Sequence, residues 1–466
     1  MTMLREQIAT LWSSMCASGM MPRRFIEDAS ERVTCSDLFG GSALYGRGEE
    51  LEGRSVLLAA KGQLTTACAL VELDGIARRI ILCPPDVPLE NLPYVIETGG
   101  VDGIVSDRTL TKFGAPRPLC FSACSRRIEP GCQIGKAQHE TEWILLTSGT
   151  TGLPKLVVHT LASLTAAIRP GTNEEGEVVW STFYDIRRYG GLQILLRAAL
   201  TGRSMVLSSA EEPVGDFLAR AAAAGVTHIS GTPSHWRRAL MSPAAQLLKP
   251  KYVRLSGEAI DQAVLNHLRS TYPEARIVHA FASTEAGVAF EVKDEKTGFP
   301  ASALTADPNV EMKIEEGTLR IRSAGNAQCY LGENAPALKR PDGFVDTGDS
   351  VELRDGRYTF VGRRDGIINV GGLKVYPEEI EAVISRHPKV QMSLVRGKKS
   401  PITGALIVAD VVLKSDSRDD ENSQAIQTDI LQFCRELLPA HKVPATVYVV
   451  KELAIADSGK VIRRNA

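Results

Sequence analysis

Leu145-Leu146-Thr147-Ser148-Gly149-Thr150-Thr151-Gly152-Leu153-Pro154-Lys155 passes from an apolar pair through a dense run of hydroxyl and glycine residues to a cation, and the apolar Leu156-Val157-Val158 follows. Glycines let successive main-chain N–H groups converge on one anion, and hydroxyls add short donors for phosphate oxygens. The GxxxxGK[ST] spacing of a Walker A loop is absent. The stretch therefore reads as a phosphate-contacting loop of another kind, set against the plainer alternative of a Gly/Thr-rich turn.

Upstream, residues 55–60 and 79–83 read as short buried strands, with a helix over 65–73 between them. Pro84-Pro85 closes the second strand; 91–98 suits another helix and 103–106 another strand. Strands alternating with helices predict parallel β/α layers, and the alternation resumes over 205–208, 217–224, 226–230 and 277–280. After about residue 310 the style changes. Short alternating strands over 311–314, 318–321, 350–353 and 358–361, separated by Gly and Asp turns, predict a small antiparallel module. From Glu378 a helix, strands around 393–396 and over 405–413, a helix over 424–438 and a strand over 446–450 predict a compact α+β tail. The fold class is α/β, divided into 1–362 and 363–466 at a joint near 363–366.

A chain of 466 residues exceeds one ordinary core. With 44% hydrophobic and 23% charged residues and a formal net charge of −1, it gives no electrostatic reason to expect nucleic acid as a partner. The nine cysteines form no CxxC pair, and Cys120, Cys124 and Cys132 lack zinc-finger spacing, so reduced thiols are expected. The N-terminus does not read as a signal peptide, and no apolar run approaches the roughly 20 residues of a membrane span. A cytoplasmic protein with no membrane span is the expectation.

Three further constellations carry chemistry. Phe281-Ala282-Ser283-Thr284-Glu285 follows the apolar Ile277-Val278, so a carboxylate for Mg²⁺ and a hydroxyl for phosphate end a strand. Asp346-Thr347-Gly348-Asp349 and Gly362-Arg363-Arg364-Asp365 offer carboxylates for ribose hydroxyls and arginines for ribose or phosphate, or equally turns with surface ion pairs. Ser458-Gly459-Lys460-Val461-Ile462-Arg463-Arg464 taken alone is a solvated basic segment.

Taken in this order, the four constellations resemble the adenylate-forming superfamily: acyl- and aryl-CoA synthetases, adenylation domains of peptide synthetases, and luciferases. The likeness covers nearly the whole chain. It includes the equally characteristic run from Gly362 through Asn369-Val370-Gly371-Gly372-Leu373-Lys374 to Glu381.

The resemblance implies a large N-terminal ATP- and acid-binding domain and a small mobile C-terminal domain. It implies that Thr147, Ser148, Gly149, Thr150, Thr151, Gly152 and Lys155 wrap the β- and γ-phosphates of ATP. Thr284 matches the α-phosphate contact and Glu285 the magnesium ligand, with Phe281, Ala282 and Ser283 beside the nucleotide. Ser256, Gly257 and Glu258 occupy the segment that lies against adenine. Asp349 matches the carboxylate on the ribose hydroxyls, supported by Arg363, and Asp365 falls at the hinge. Lys460 matches the lysine that reaches the substrate carboxylate and the α-phosphate. Gly371 and Gly372 would line the thiol's approach. The physical logic agrees: two anions must meet, so cations are needed where charge converges. A lysine about 4 Å from a phosphate oxygen gains on the order of 4 kcal/mol at an effective dielectric near 20.

The implied reaction is activation of a carboxylic acid by ATP with Mg²⁺, release of pyrophosphate, and acyl transfer to coenzyme A. The alternative is an amino acid or other polar acid loaded onto the phosphopantetheine of a carrier protein, expected to be a separate chain. Two departures from the pattern bear on this. Phe281-Ala282 replaces the usual aromatic-glycine. The run Thr182-Phe183-Tyr184-Asp185-Ile186-Arg187-Arg188-Tyr189-Gly190-Gly191 lacks the histidine that many acyl-CoA ligases place there. Asp185 resembles the aspartate that holds an α-ammonium group, while Arg187 or Arg188 could meet a second acidic group; a structural ion-pair cluster is the alternative for all three. Tyr184 belongs to the same candidate pocket, as does His235 in Gly231-Thr232-Pro233-Ser234-His235-Trp236, the latter with packing as its alternative.

Overall fold

The computed structural model describes residues 9–18, 23–107, 120–124, 128–130, 138–147, 153–169, 177–370, 373–400, 404–414 and 423–453. Two large sheets dominate. The seven-stranded sheet runs, edge to edge, Cys329–Leu331, Lys155–Thr160, Glu142–Thr147, Arg79–Leu82, Ser55–Leu58, Gly103–Ser106 and Cys120–Ala123. Its last five strands are parallel, and Lys155–Thr160 turns back antiparallel on Glu142–Thr147. The eight-stranded sheet runs Gly287–Val292, Arg276–Ser283, Tyr252–Ser256, His228–Gly231, Val179–Thr182, Ser204–Leu207, Phe25–Glu27 and Arg32–Thr34, parallel except at its two edges.

Helices Gln63–Leu73 and Tyr189–Leu200 lie between the sheets. Every residue of Gln63–Leu73 is buried, which its sequence QLTTACALVEL permits because it has no charged face. One apolar cluster joins Leu58, Leu82 and Leu145 of one sheet to Trp180, Met205 and Leu207 of the other through Leu64, Leu70, Leu192 and Leu196 of these helices. A second cluster, around Val206, Ile229, Val253 and Ile277, packs helices Val214–Ala223, Pro233–Leu240 and Gln262–Thr271 on the outer face of the eight-stranded sheet. The expected β/α layers are present, with strand ends within a residue or two of the expected ones over 55–106.

The antiparallel module is a five-stranded sheet in the order Phe299–Pro300, Arg357–Arg363, Val345–Arg354, Thr318–Ser323 and Val310–Glu315. The strand expected over 350–353 is longer: it begins at Val345 and takes in Asp346–Asp349, with Gly348 at φ +71° and an irregular register after Ser350. Beyond it, helices Pro377–Ile384 and Ser423–Leu437 pack on the sheet of Val390–Ser400, Gly404–Leu413 and Thr446–Val449 around Ile380, Ile384, Val395, Val411 and Ile430. The overall class is the α/β arrangement expected: layered sheets, an antiparallel module and a small α+β C-terminal domain. Among the described residues no helix is long and apolar enough to cross a membrane.

Candidate active site

The four parallel strands Val179–Thr182, His228–Gly231, Tyr252–Ser256 and Arg276–Ser283 point their C-terminal ends the same way. The residues that follow them are Tyr184–Arg188, Thr232–Ser234, Gly257–Glu258 and Thr284–Glu285, so chain segments far apart in sequence meet at one sheet edge. That edge is where open α/β sheets place their ligands.

The hairpin of the other sheet arrives at the same place. Thr147 and Lys155 are cross-strand partners, so the two ends of the glycine loop close on each other. Ser148, Gly149, Thr150, Thr151 and Gly152 lie outside the described residues, as do Gly371, Gly372 and Lys460. Among the described residues the Oγ1 of Thr147 is buried with no hydrogen-bond partner, a donor left over at the mouth of the loop. The Lys155 ammonium lies 5.1 Å from the ring centroid of Tyr330 on the next strand.

Tyr330 was not singled out in the sequence. Its hydroxyl donates to Glu285 Oε1 at 3.2 Å, and burial together with that carboxylate pushes its phenol far up. The turn that carries Glu285 is tied down at several points. Ser283 Oγ accepts from Ala286 N at 3.0 Å, Glu285 O accepts from Ala327 N at 2.9 Å, and Ala286 O accepts from Asn326 Nδ2 at 3.0 Å. His159 Nε2 lies 2.7 Å from the carbonyl oxygen of Thr284. Cys329–Leu331 pairs with Lys155–Thr160, so His159, Tyr330 and Lys155 brace one turn from one sheet. Phe281 stacks on Phe360 of the antiparallel module, with centroids 5.0 Å apart and planes 10° apart, and Ala282 is half-buried beside it.

The 256–258 segment is anchored twice. Tyr184 OH reaches Ser256 O at 2.7 Å and Ser256 Oγ at 2.9 Å. Glu258 Oε2 accepts from Ser234 N at 2.9 Å, a carboxylate at the N-terminus of helix Pro233–Leu240 where free N–H groups want an acceptor. Asp349 and Arg363 are cross-strand partners in the antiparallel module, Asp349 half-buried and Arg363 exposed. Asp365 follows in the short turn Arg364–Gly366.

The remaining candidates are engaged. Asp185 and Arg187 form a buried two-point pair: Nη2 meets Oδ2 at 2.5 Å and Nε meets Oδ1 at 2.7 Å. Arg187 Nη1 also donates to the carbonyls of Ala60 and Lys61. Gly191 makes this possible, because a Cβ there would stand 2.2 Å from the carbonyl oxygen of Asp185. Arg188 Nη2 donates to both oxygens of Asp86. His235 stacks on Phe183, its Nδ1 accepts from Thr232 N at 3.2 Å, and burial pushes its pKa down to about 3, so it is a neutral packing residue.

Family models match where this geometry lies: the AMP-binding enzyme model over residues 103–331, and the AMP-binding enzyme C-terminal domain model over 379–460. The 2-succinylbenzoate–CoA ligase of Escherichia coli (strain K12) is 30% identical over 398 residues, covering 81% of this chain and 81% of the relative. The chain belongs to the AMP-binding enzymes. Another family member, the 2-succinylbenzoate–CoA ligase of Geobacillus kaustophilus, is 25% identical over 476 residues, 96% of this chain and 95% of that one. Among solved structures, the o-succinylbenzoate CoA synthetase (MenE) from Bacillus subtilis in complex with the acyl-adenylate intermediate OSB-AMP superposes with a TM-score of 0.75. That match covers 97% of both chains at 19% identity, and so speaks to the fold. Family membership places the chain within the adenylate-forming superfamily.

Proposed function

We propose that the chain condenses a carboxylic acid with ATP at the C-terminal edge of the eight-stranded sheet, releases pyrophosphate, and passes the acyl group to the thiol of coenzyme A. One observation carries this reading. The Thr284–Glu285 turn of one sheet is held by His159 and Tyr330 of the other, directly beside the Thr147–Lys155 base of the glycine loop.

In this reading the loop 147–155 holds the β- and γ-phosphates, with Thr147 Oγ1 and the Lys155 ammonium at its two ends. Thr284 holds the α-phosphate. Ser256, Gly257 and Glu258 flank adenine with Phe281–Ser283, and Asp349 with Arg363 takes the ribose. Glu285 suits Mg²⁺: among the described residues no three His, Cys, Asp or Glu side chains cluster as a metal cage. A single carboxylate completed by phosphate oxygens is how this ion is commonly held. There it would offset the charge of the departing pyrophosphate. The acid's carboxylate oxygen attacks the α-phosphorus, the bond to the β-phosphate bridging oxygen breaks, and pyrophosphate leaves. A mixed anhydride remains, and a thiolate then attacks its carbonyl carbon and expels AMP.

Lys460 would supply the cation shared by the carboxylate and the α-phosphate. The parts 1–362 and 363–466 would move about Asp365 between the two steps, with Gly371 and Gly372 along the thiol's path. The named activity of the E. coli and Geobacillus relatives supports coenzyme A as the acceptor. The amino-acid alternative loses its main support, because Asp185 spends its charge on Arg187.

Acid-dependent pyrophosphate release, followed by thioester formation on adding coenzyme A, tests both steps. An acyl-adenylate that accumulates and persists with coenzyme A would reject the second.

A further inference from the structure

Between strand Ser55–Leu58 and helix Gln63–Leu73 the chain turns at the edge of the seven-stranded sheet and reaches across to the other sheet. Gln63, the first residue of the helix, is buried. Its Oε1 accepts from Ile186 N at 2.8 Å, and its Nε2 donates to Ser208 O at 2.5 Å. Ile186 and Ser208 follow the adjacent parallel strands Val179–Thr182 and Ser204–Leu207. One side-chain amide therefore clasps two neighbouring loops at the C-terminal edge of the eight-stranded sheet. An N–H can only donate and a carbonyl can only accept, so the orientation of the amide is fixed by its partners. Asparagine would be one methylene too short, glutamate lacks the donor, and an apolar chain lacks both groups.

Two more hydrogen bonds join the same segments. Arg187 Nη1 donates to Ala60 O at 2.7 Å and to Lys61 O at 2.9 Å. Asp107 holds the turn from its other side: Oδ1 accepts from Lys61 N at 2.7 Å and Oδ2 from Gly62 N at 3.1 Å. In the clasped segment, Phe183 N donates to Ser230 O, Tyr184 N to Thr182 Oγ1, Arg187 N to Asp185 Oδ1 and Arg188 N to Asp185 O, all on their own side of the seam. The Ile186 N–H crosses the seam to Gln63. Ile186 is fully buried, so an N–H deprived of that acceptor has no water within reach and pays for its desolvation.

Two residues before Ile186, Tyr184 ends on Ser256, in the strip assigned above to adenine. With adenine on 256–258 and the α-phosphate on Thr284, an acid attacking that phosphorus is bordered by 184–188. We propose that Gln63 is a positioning residue for the acid: by holding Ile186 N it sets the segment along which the acid lies during the attack. This rests on the acid-activating reading above, and adds to it a residue that touches neither substrate. When the clasp opens, the segment shifts and the acid loses affinity and alignment. The phosphates, held by 147–155 and Thr284, are left in place.

The test uses the full chain with magnesium–ATP and six acids: acetate, hexanoate, benzoate, phenylacetate, glutarate and homophthalate. Pyrophosphate release is measured against an ATP blank, and the best of the six serves for the variants. Gln63→Met should raise KM for that acid about tenfold, the scale of one buried hydrogen bond, and leave KM for magnesium–ATP within about twofold. Gln63→Glu keeps an acceptor for Ile186 N and should recover part of the loss. Asp107→Ala, at an exposed position, frees the turn from its other side and should raise the acid KM several-fold. This variant decides the question if Gln63→Met does not fold, an unchanged acid KM then counting against the proposal. Both KM values rising together, or a lower thermal midpoint with both unchanged, overturns the proposal and leaves acid activation standing. No release with any of the six acids overturns both.

Discussion

The imidazole Nε2 of His159 lies 2.7 Å from the main-chain carbonyl oxygen of Thr284, 125 residues further along the chain. A carbonyl can only accept, so Nε2 carries the proton and Nδ1 accepts from Ser163 Oγ at 2.9 Å. The neutral ring is thus satisfied on both sides, and burial pushes its pKa down to about 4. It fixes the strand end whose side chains are proposed to meet the α-phosphate and the magnesium ion.

His159→Phe keeps the ring but leaves the Thr284 carbonyl without its donor, at a cost of about 1–3 kcal/mol. The expected outcome is a fall of about tenfold or more in kcat/KM for ATP, and His159→Gln, which can still donate, should recover part of it. His159 is a positioning residue. A variant that only lowers the thermal midpoint, with ATP kinetics intact, would sink that role.

Tyr330→Phe deletes the hydrogen bond to Glu285 and leaves the ring under Lys155. One neutral-to-charged bond is worth about 1.5–3 kcal/mol. KM for magnesium–ATP should rise while KM for the acid stays near its starting value, and steady-state kinetics against each substrate separates the two. A rise confined to the acid would contradict the placement of Glu285.

Asp185→Ala strands the Arg187 guanidinium, buried beside its missing partner. Breaking a buried pair from one side costs about 3–5 kcal/mol. Urea unfolding should show a loss of that order. The variant's selectivity among acids should not shift toward or away from amino acids, and a change in amino-acid activation at unaltered stability would restore the ammonium-binding role.

Two buried histidines each contribute a pH-dependent part of the stability whose sign is opposite to that of Asp74, a carboxyl that burial pushes up to about 6. His159, at about 4, and His235, at about 3, titrate below the ordinary value of 6.5 because burial disfavours the imidazolium. Between those values and 6.5 each is more fully protonated in the unfolded chain than in the folded one, so its part of the stability rises with pH in that window. It is fully present above about pH 6.5 and falls by up to about 1.4 kcal/mol per pH unit for each histidine as the pH drops. Unfolding free energies at pH 7 and pH 5 measure the slope. Replacing His235 by Phe should take that histidine's share out of it, and an unchanged slope would rule that histidine out.

Gly362 sits at φ +146°, and a Cβ there would stand 2.9 Å from Tyr376 Cδ1 and 2.5 Å from Glu378 Oε2. Gly362→Ala must therefore push apart the last strand of the antiparallel module and the start of helix Pro377–Ile384. An overpacked contact of this kind costs about 1–3 kcal/mol. The thermal midpoint should drop accordingly, with both half-reactions measured alongside; an unaltered midpoint would mean the contact yields without cost.

Much of this was legible in the sequence. Strands over 55–58, 79–82 and 103–106 announce themselves as short apolar runs between turns, because both faces of a parallel sheet are covered. The glycine loop is legible because its composition has few other uses. Phe25–Glu27 and Arg32–Thr34, which complete the eight-stranded sheet, passed unnoticed, since three residues carry no periodicity. His159, Tyr330 and Gln63 are single residues whose partners lie 125, 45 and 123 positions away, and nothing local marks such a pairing. Asp185 and Arg187 are only two apart, yet sequence alone cannot tell a pair matched to each other from one waiting for a ligand.

The residues proposed to meet phosphate and magnesium come from both large sheets: Thr147 and Lys155 from one, Thr284 and Glu285 from the other. A nucleotide seated there acts as a rivet across the seam. Its binding free energy adds to the cohesion of two layers already joined by an apolar interior and by polar contacts such as His159 to Thr284 and Arg188 to Asp86. At a concentration a hundredfold above Kd that amounts to about 2.7 kcal/mol. Amide exchange in Gln63–Leu73, a helix that touches no proposed ligand, should therefore slow when ATP is added, because opening that helix means prising the two sheets apart.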